Sequence, residues 1–288
     1  MALWRLLVDG RPRLARGPAA GGPVDLLDAR ASIDALLSGE PGALRGLLDG
    51  PTGNPVPEGA RALAPVGAQP VWAAGVTFRR SRDARLEESS GLDAYDKVYV
   101  AERPELFLKA LPATARGPDE PIAVRADSQW DVPEPELVVV ADRRGEIVAY
   151  TIGNDVSSRS IEGENPLYLP QAKLYRGSCA IGPCLVPVDE APAPASMRIA
   201  LSITRSDAEL YRDTCSVADM KRTHPELIDW LWRGQDLPLG AVLLTGTSIV
   251  PPLELTLRPG DQVSISITGL GTLHNQVELL DTSPRPRS

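Results

Sequence analysis

Residues 133–155 read PEPELVVVADRRGEIVAYTIGND, and this stretch decides the fold class. Residues 136–140 and 147–152 are two strand-like runs on either side of Asp142-Arg143-Arg144-Gly145, which reads as a hairpin connection. Pro135 denies the first run a helical start. The same texture continues outward in both directions. Residues 71–76 form a small apolar strand. Residues 197–204 alternate Ile199, Leu201 and Ile203 with Arg198, Ala200, Ser202 and Thr204, the period of two of a half-buried strand. Residues 242–245, 261–267 and 273–280 supply more strands. The best helical spacing lies in 216–232, with Val217, Met220, Leu227, Ile228, Leu231 and Trp232, interrupted at Pro225. The 28 prolines and 25 glycines favour many short strands over long helices. The expected class is α+β, rich in β.

The chain divides by character near residue 68. Residues 1–68 read as a small N-terminal domain: a strand at 4–8, a turn at Asp9-Gly10, a short helix at 41–48 and a turn-rich connector at 51–57. Its expected role is a lid, cap or oligomerisation element. Residues 69–288 carry the chemistry, and the last eight residues, from Asp281, read as a frayed tail.

With 288 residues, 43% of them hydrophobic, the chain has ample material for a core. Thirty basic against 38 acidic residues give a formal charge of −8, which offers no footprint for nucleic acid or an anionic membrane. No apolar run has the length of a membrane span, and the start is broken by Arg5 too early for a signal peptide. Cys179, Cys184 and Cys215 are too few for a disulfide scaffold and lack zinc spacing. The expected location is the cytoplasm.

The chemistry begins at Glu134 and Glu136, which project to the same side of an extended chain. Alone, such a pair reads more readily as an exposed acidic turn. Nineteen residues on, Asp155 follows the second strand among small polar residues, a usual placement for a ligand or catalytic group. Three carboxylates make a hard oxygen donor set whose natural occupant is Mg²⁺, with Mn²⁺ or Ca²⁺ as alternatives. His224 and His274 lie far off in sequence. The segment 161–173, IEGENPLYLPQAK, ends at Lys173, one of only four lysines among thirty basic residues. A sequence that fills ordinary positions with arginine can keep lysine for a compact amine, although four leftover surface lysines fit the count equally well. Near a metal-bound carboxylate, Lys173 could accept a proton or hold a substrate carboxylate. Cys179 and Cys184 read as packing residues.

PEPELVVV, YTIGNDVSSR, the following lysine, LLTGT at 243–247 and GLGTLHN at 269–275 together resemble the fumarylacetoacetate hydrolase family over roughly residues 70–280. The resemblance implies a β-rich roll of mixed sheets and commonly a homodimer or homotetramer. It implies Mg²⁺ on Glu134, Glu136 and Asp155, with Lys173 at the family's lysine and Thr247 at its substrate-contacting threonine. Family members that act on acylpyruvates carry a histidine after the first strand; here residues 75–82 read GVTFRRSR, with none. IEGENPLYLPQAK and ERPELFLK at 102–109 instead resemble the branch that dehydrates 2-keto-3-deoxy sugar acids, such as 2-keto-3-deoxy-D-arabinonate to 2,5-dioxopentanoate. That reading makes Lys173 the base at C3, the metal the stabiliser of the enolate, and Glu105, beside Arg103, the acid for the C4 hydroxyl. Arg79, Arg80, Ser81 and Arg103 are expected to hold the substrate, as are Ser157, Gln171 and Thr247. Hydrolysis, decarboxylation or isomerisation of an acylpyruvate-type acid is the second reading. A non-catalytic metal- or ligand-binding protein is the third.

Overall fold

The computed structural model describes residues 1–51, 53–81, 83 and 94–282. Most of the expected tail, from 283 onward, therefore lies outside the described residues. The strand Pro135–Ala141 sits inside an eleven-stranded sheet, antiparallel to Ile147–Asp155 on one side and to Ala241–Leu244 on the other. Ala241–Leu244 then runs parallel to Val71–Gly75, which pairs antiparallel with Glu105–Ala110. In the other direction Ile147–Asp155 pairs with Cys179–Pro187, and Ala2–Val8 joins that strand at Leu3 opposite Leu185. Strands from residues 1–68 thus extend the same sheet rather than forming one of their own.

A run such as PELVVVA has no polar face because both of its faces are covered. Leu137, Val139 and Ala141 point into one core, against Ile199, Leu201, Ile203, Val263 and Ile265 of a second, five-stranded sheet. Val138 and Val140 point into another, beneath the short helices Ile33–Ser38 and Ala43–Leu48. The sheet is a shared wall between two cores, and the fold is β-rich with mixed sheets, as the pattern predicts. Among the described residues no helix is long and apolar enough to cross a membrane.

The helix expected over 216–232 starts later. Val217–Asp219 is a single 3-10 turn, and the α-helix runs His224–Trp232. Pro225 begins that helix rather than interrupting it. Proline suits the first turn, where its missing N–H has no partner to lose, and Thr223 and Glu226 close a capping box around it.

Candidate active site

At one end of this wall, two adjacent strand ends bring three acidic side chains together. Glu134 precedes the strand Pro135–Ala141, and Glu136 follows the same alternation as Val138 and Val140. Asp155 closes Ile147–Asp155, and its N–H donates to the Glu134 carbonyl at 2.9 Å. One carboxylate oxygen from each of Glu134, Glu136 and Asp155 lies within 4.8 Å of the others, and all three residues are buried.

Burying a carboxylate costs several kcal/mol unless cations and hydrogen bonds offset it, so the compensation around each is informative. Glu134 receives Arg159 on Oε1, at 3.1 Å from Nε and 3.0 Å from Nη2. Lys173 Nζ donates to Glu134 Oε2 at 3.0 Å, to Asp155 Oδ2 at 3.2 Å and to Ser157 Oγ. Lys109 Nζ lies 2.5 Å from Asp155 Oδ1. Glu136 accepts the backbone N–H of Gly246 at 2.5 Å. Its own burial, with Asp155 and Glu134 alongside, holds its carboxyl well above the usual range. The cavity is also lined by Glu105 and Glu162. Lys109, Lys173 and Arg159 are the cations set against the trio itself. Three carboxylate oxygens converging within 4.8 Å fit one divalent cation, and an all-oxygen set selects Mg²⁺ over softer metals.

The remaining wall is shaped by close approaches. Phe107 follows Glu105 at the strand spacing of two and lines the cavity, with Lys173 Nζ 5.7 Å from its ring centre. Gly75 leaves room for Glu105, whose Oε2 would stand 2.0 Å from any Cβ there. Gly246 adopts φ +97°, and a Cβ at that position would stand 2.0 Å from Thr77 Oγ1. That hydroxyl is itself committed to the Thr245 carbonyl at 2.7 Å. Gly246→Ala therefore moves the loop that donates to Glu136. It is expected to destabilise the fold by more than about 1 kcal/mol and to weaken divalent-metal binding. Melting curves with and without Mg²⁺ check this; unchanged melting and unchanged metal response would remove Gly246 from the site.

Of the residues singled out from sequence, Glu134, Glu136, Asp155, Lys173, Glu105, Ser81 and Thr247 line one cavity. Ser157 stands behind it, linking Lys173 Nζ to the Asp155 carbonyl. The others are not brought there. Arg103 stacks on Trp230, 4.7 Å from the ring centre, because Pro104 separates it from the strand that begins at Glu105. Arg79 points outward, 78% exposed, towards Asp83. Arg80 pairs with Asp213 at 2.9 Å. Gln171 is exposed, and its carbonyl accepts from Arg125. Neither histidine lines the cavity. His224 packs beside Tyr150, where burial lowers its pKa to about 4. Cys179 and Cys184 are buried thiols pushed up to about 12, which suits packing and not nucleophilic attack.

Glu162 in the cavity and Lys109 behind it were not singled out as site residues from sequence. Glu162 is buried on the helix Arg159–Glu164, within the quoted segment IEGENPLYLPQAK but unmarked by any spacing. Lys109 is fully buried behind Asp155. Its signal was present in the scarcity of lysine: two of the four, Lys109 and Lys173, converge here, while Lys221 lies at the surface over Tyr99.

The profile of the fumarylacetoacetate (FAA) hydrolase C-terminal family matches residues 85–278. A relative from Haloferax volcanii, named a probable 2-keto-3-deoxyxylonate dehydratase, is 52% identical over 216 residues, covering 75% of this chain and 74% of the relative. The 2-dehydro-3-deoxy-D-arabinonate dehydratase of Saccharolobus solfataricus is 43% identical over 222 residues, covering 76% and 74%. A solved structure of 2-keto-3-deoxy-D-arabinonate dehydratase complexed with magnesium and 2,5-dioxopentanoate superposes with a TM-score of 0.84 at 34% identity. That match covers 98% of this chain and 100% of the other.

Proposed function

Because the chain belongs to the fumarylacetoacetate hydrolase family, we propose that it is a magnesium-dependent dehydratase of 2-keto-3-deoxy sugar acids. The observation that carries this reading is the buried trio Glu134, Glu136 and Asp155 with the Lys173 ammonium on two of its members. No imidazole shares the cavity, which disfavours the water-activating chemistry of acylpyruvate hydrolysis.

A divalent cation held by the trio supplies a Lewis acid for the carboxylate and ketone oxygens of a 2-keto acid. The protein does the rest with protons. Lys173 Nζ, fixed between Glu134 and Asp155, would give up its ammonium proton to solvent once a divalent cation takes over the charge of those carboxylates, and as the neutral amine it takes the proton from C3. Glu105, on the strand facing it, gives a proton to the departing C4 hydroxyl. One C3 proton and one C4 hydroxyl leave as water, and tautomerisation of the unsaturated product gives a 2,5-dioxo acid. Phe107 shields the space between base and acid from solvent. Glu162 adds an acceptor for a further hydroxyl of the sugar chain. The same reading places the protein in pentose-acid breakdown as a cytoplasmic homodimer or homotetramer, and sedimentation measures the assembly.

The test is turnover of 2-keto-3-deoxy-D-arabinonate, read through an added aldehyde dehydrogenase that consumes the semialdehyde product. Turnover is expected with Mg²⁺, lost with a chelator and restored by adding the metal back. Cleavage of an acylpyruvate in place of this turnover would overturn the dehydratase reading and leave the family intact.

A further inference from the structure

Lys109 is a fully buried cation that the proton transfers above leave unused. It projects from the strand Glu105–Ala110 on the same alternation as Glu105 and Phe107, but behind the cavity wall. Its Nζ donates to the Val156 carbonyl at 2.9 Å and to the Lys173 carbonyl at 2.5 Å. The same nitrogen lies 2.5 Å from Asp155 Oδ1. Ser178 Oγ also donates to the Lys173 carbonyl, at 2.8 Å, so the backbone that carries the base is held twice. A single ammonium thereby joins a metal-site carboxylate, the chain just beyond it, and the end of the helix Leu169–Lys173. Two donors of this compact group meet the carbonyls while its charge stands against Asp155 Oδ1, which has no hydrogen-bond partner among the described residues, a concentration of contacts at one atom that a planar guanidinium cannot match. That accounts for lysine at this position in a chain that otherwise uses arginine.

We propose that Lys109 is a positioning residue that locks Asp155 to the backbone of Lys173, so that Asp155 presents the single oxygen Oδ2 to a bound cation. Oδ1 is held by Lys109, and Oδ2 is the oxygen on the Lys173 side. Without Lys109 the Asp155 carboxylate keeps only the Lys173 contact on Oδ2, and the relation between metal ligand and base loosens. The inference rests on Glu134, Glu136 and Asp155 being the metal site.

Mn²⁺ titration of the metal-free full chain, with free Mn²⁺ read by electron paramagnetic resonance, tests it in a four-member cycle: parent, Lys109→Met, Asp155→Asn and the double variant. Lys109→Met is expected to weaken Mn²⁺ binding by about tenfold or more, the scale of a lost supporting contact. In the Asp155→Asn background, whose amide oxygen still serves as a weak ligand, the same change is expected to alter binding by less than about twofold. Tighter or unchanged binding in Lys109→Met overturns the proposal, since the lysine would then merely repel the metal or do nothing to it. Weakening that multiplies with Asp155→Asn also overturns it, because Lys109 would be acting elsewhere. Circular dichroism establishes that each variant folds. Should Lys109→Met not fold, Lys109→Arg replaces it in the cycle, keeping the charge without the three-way contact. A parent that binds no Mn²⁺ is a distinct result, which refutes the metal site itself.

Discussion

Lys173→Met is expected to lower turnover by about 10²–10⁴-fold while metal binding persists. Methionine keeps the length and the apolar stem but has no proton to exchange. The change also removes the ammonium from Glu134 and Asp155, 3.0 and 3.2 Å away in a region 3% exposed at the lysine. Breaking a buried pair from one side costs about 3–5 kcal/mol, because the carboxylates keep their desolvation penalty. The metal-free variant should therefore melt well below the parent. A divalent cation supplies the missing charge, so Mg²⁺ should raise the melting temperature of the variant by more than that of the parent. Metal affinity should hold or improve, since the ammonium no longer competes for the same oxygens. Loss of turnover with this enlarged metal response marks a proton-transferring group. Unchanged turnover would remove Lys173 as the base.

Glu136→Gln is expected to do the opposite to stability. Glu136 has one backbone donor, Gly246, and two carboxylate neighbours, and its carboxyl is pushed well above the ordinary value of 4.5 by burial and by them. The folded, metal-free protein thus holds a proton that the unfolded chain releases above pH 4.5. With more protons on the folded state, stability falls as pH rises from 4.5 towards the raised folded value. Glutamine removes that slope, and the metal-free variant should melt at or above the parent near neutral pH. Metal binding should weaken by at least about a hundredfold, beyond what supporting residues contribute, and turnover should disappear with it. Melting curves across pH, with and without Mg²⁺, carry the result. A variant that still turns over substrate in a metal-dependent way would show that Glu136 is not a ligand.

The parts of this structure legible in the sequence are those where one local pattern meets one physical demand. PELVVVA reads as a strand because both faces are buried, and Glu134 and Glu136 share a side because they straddle a proline-locked extended residue. Glu105 and Arg103 show the limit. A spacing of two places residues on one face only inside a strand, and Arg103 lies before Pro104, so it left for Trp230 while Glu105 entered the cavity. Gly246 carries no local mark of its partner Glu136, 110 residues away. Lys109 was visible only as a rarity, because its contacts, with Asp155-Val156 and with Lys173, define its role and none lies near it in sequence. Pro225 misled for a plainer reason: the same ring that breaks a helix interior is well suited to its first turn.

The central strand has a cost in time. Pro135–Ala141 is fully apolar beyond Glu136, and one of its edges stays open until Ala241–Leu244 pairs with it. At roughly 5–20 residues per second of synthesis, those partners follow roughly 5–20 s later. Throughout that interval the nascent chain exposes an unpaired, valine-rich edge, the kind of surface that seeds aggregation. The carboxylates Glu134, Glu136 and Asp155 are all made by then, but Glu136 still lacks the Gly246 donor that fixes it. Metal completes the site only once Ala241–Leu244 has paired and Gly246 has reached Glu136, which makes yield sensitive to translation speed and chaperone supply as well as to magnesium.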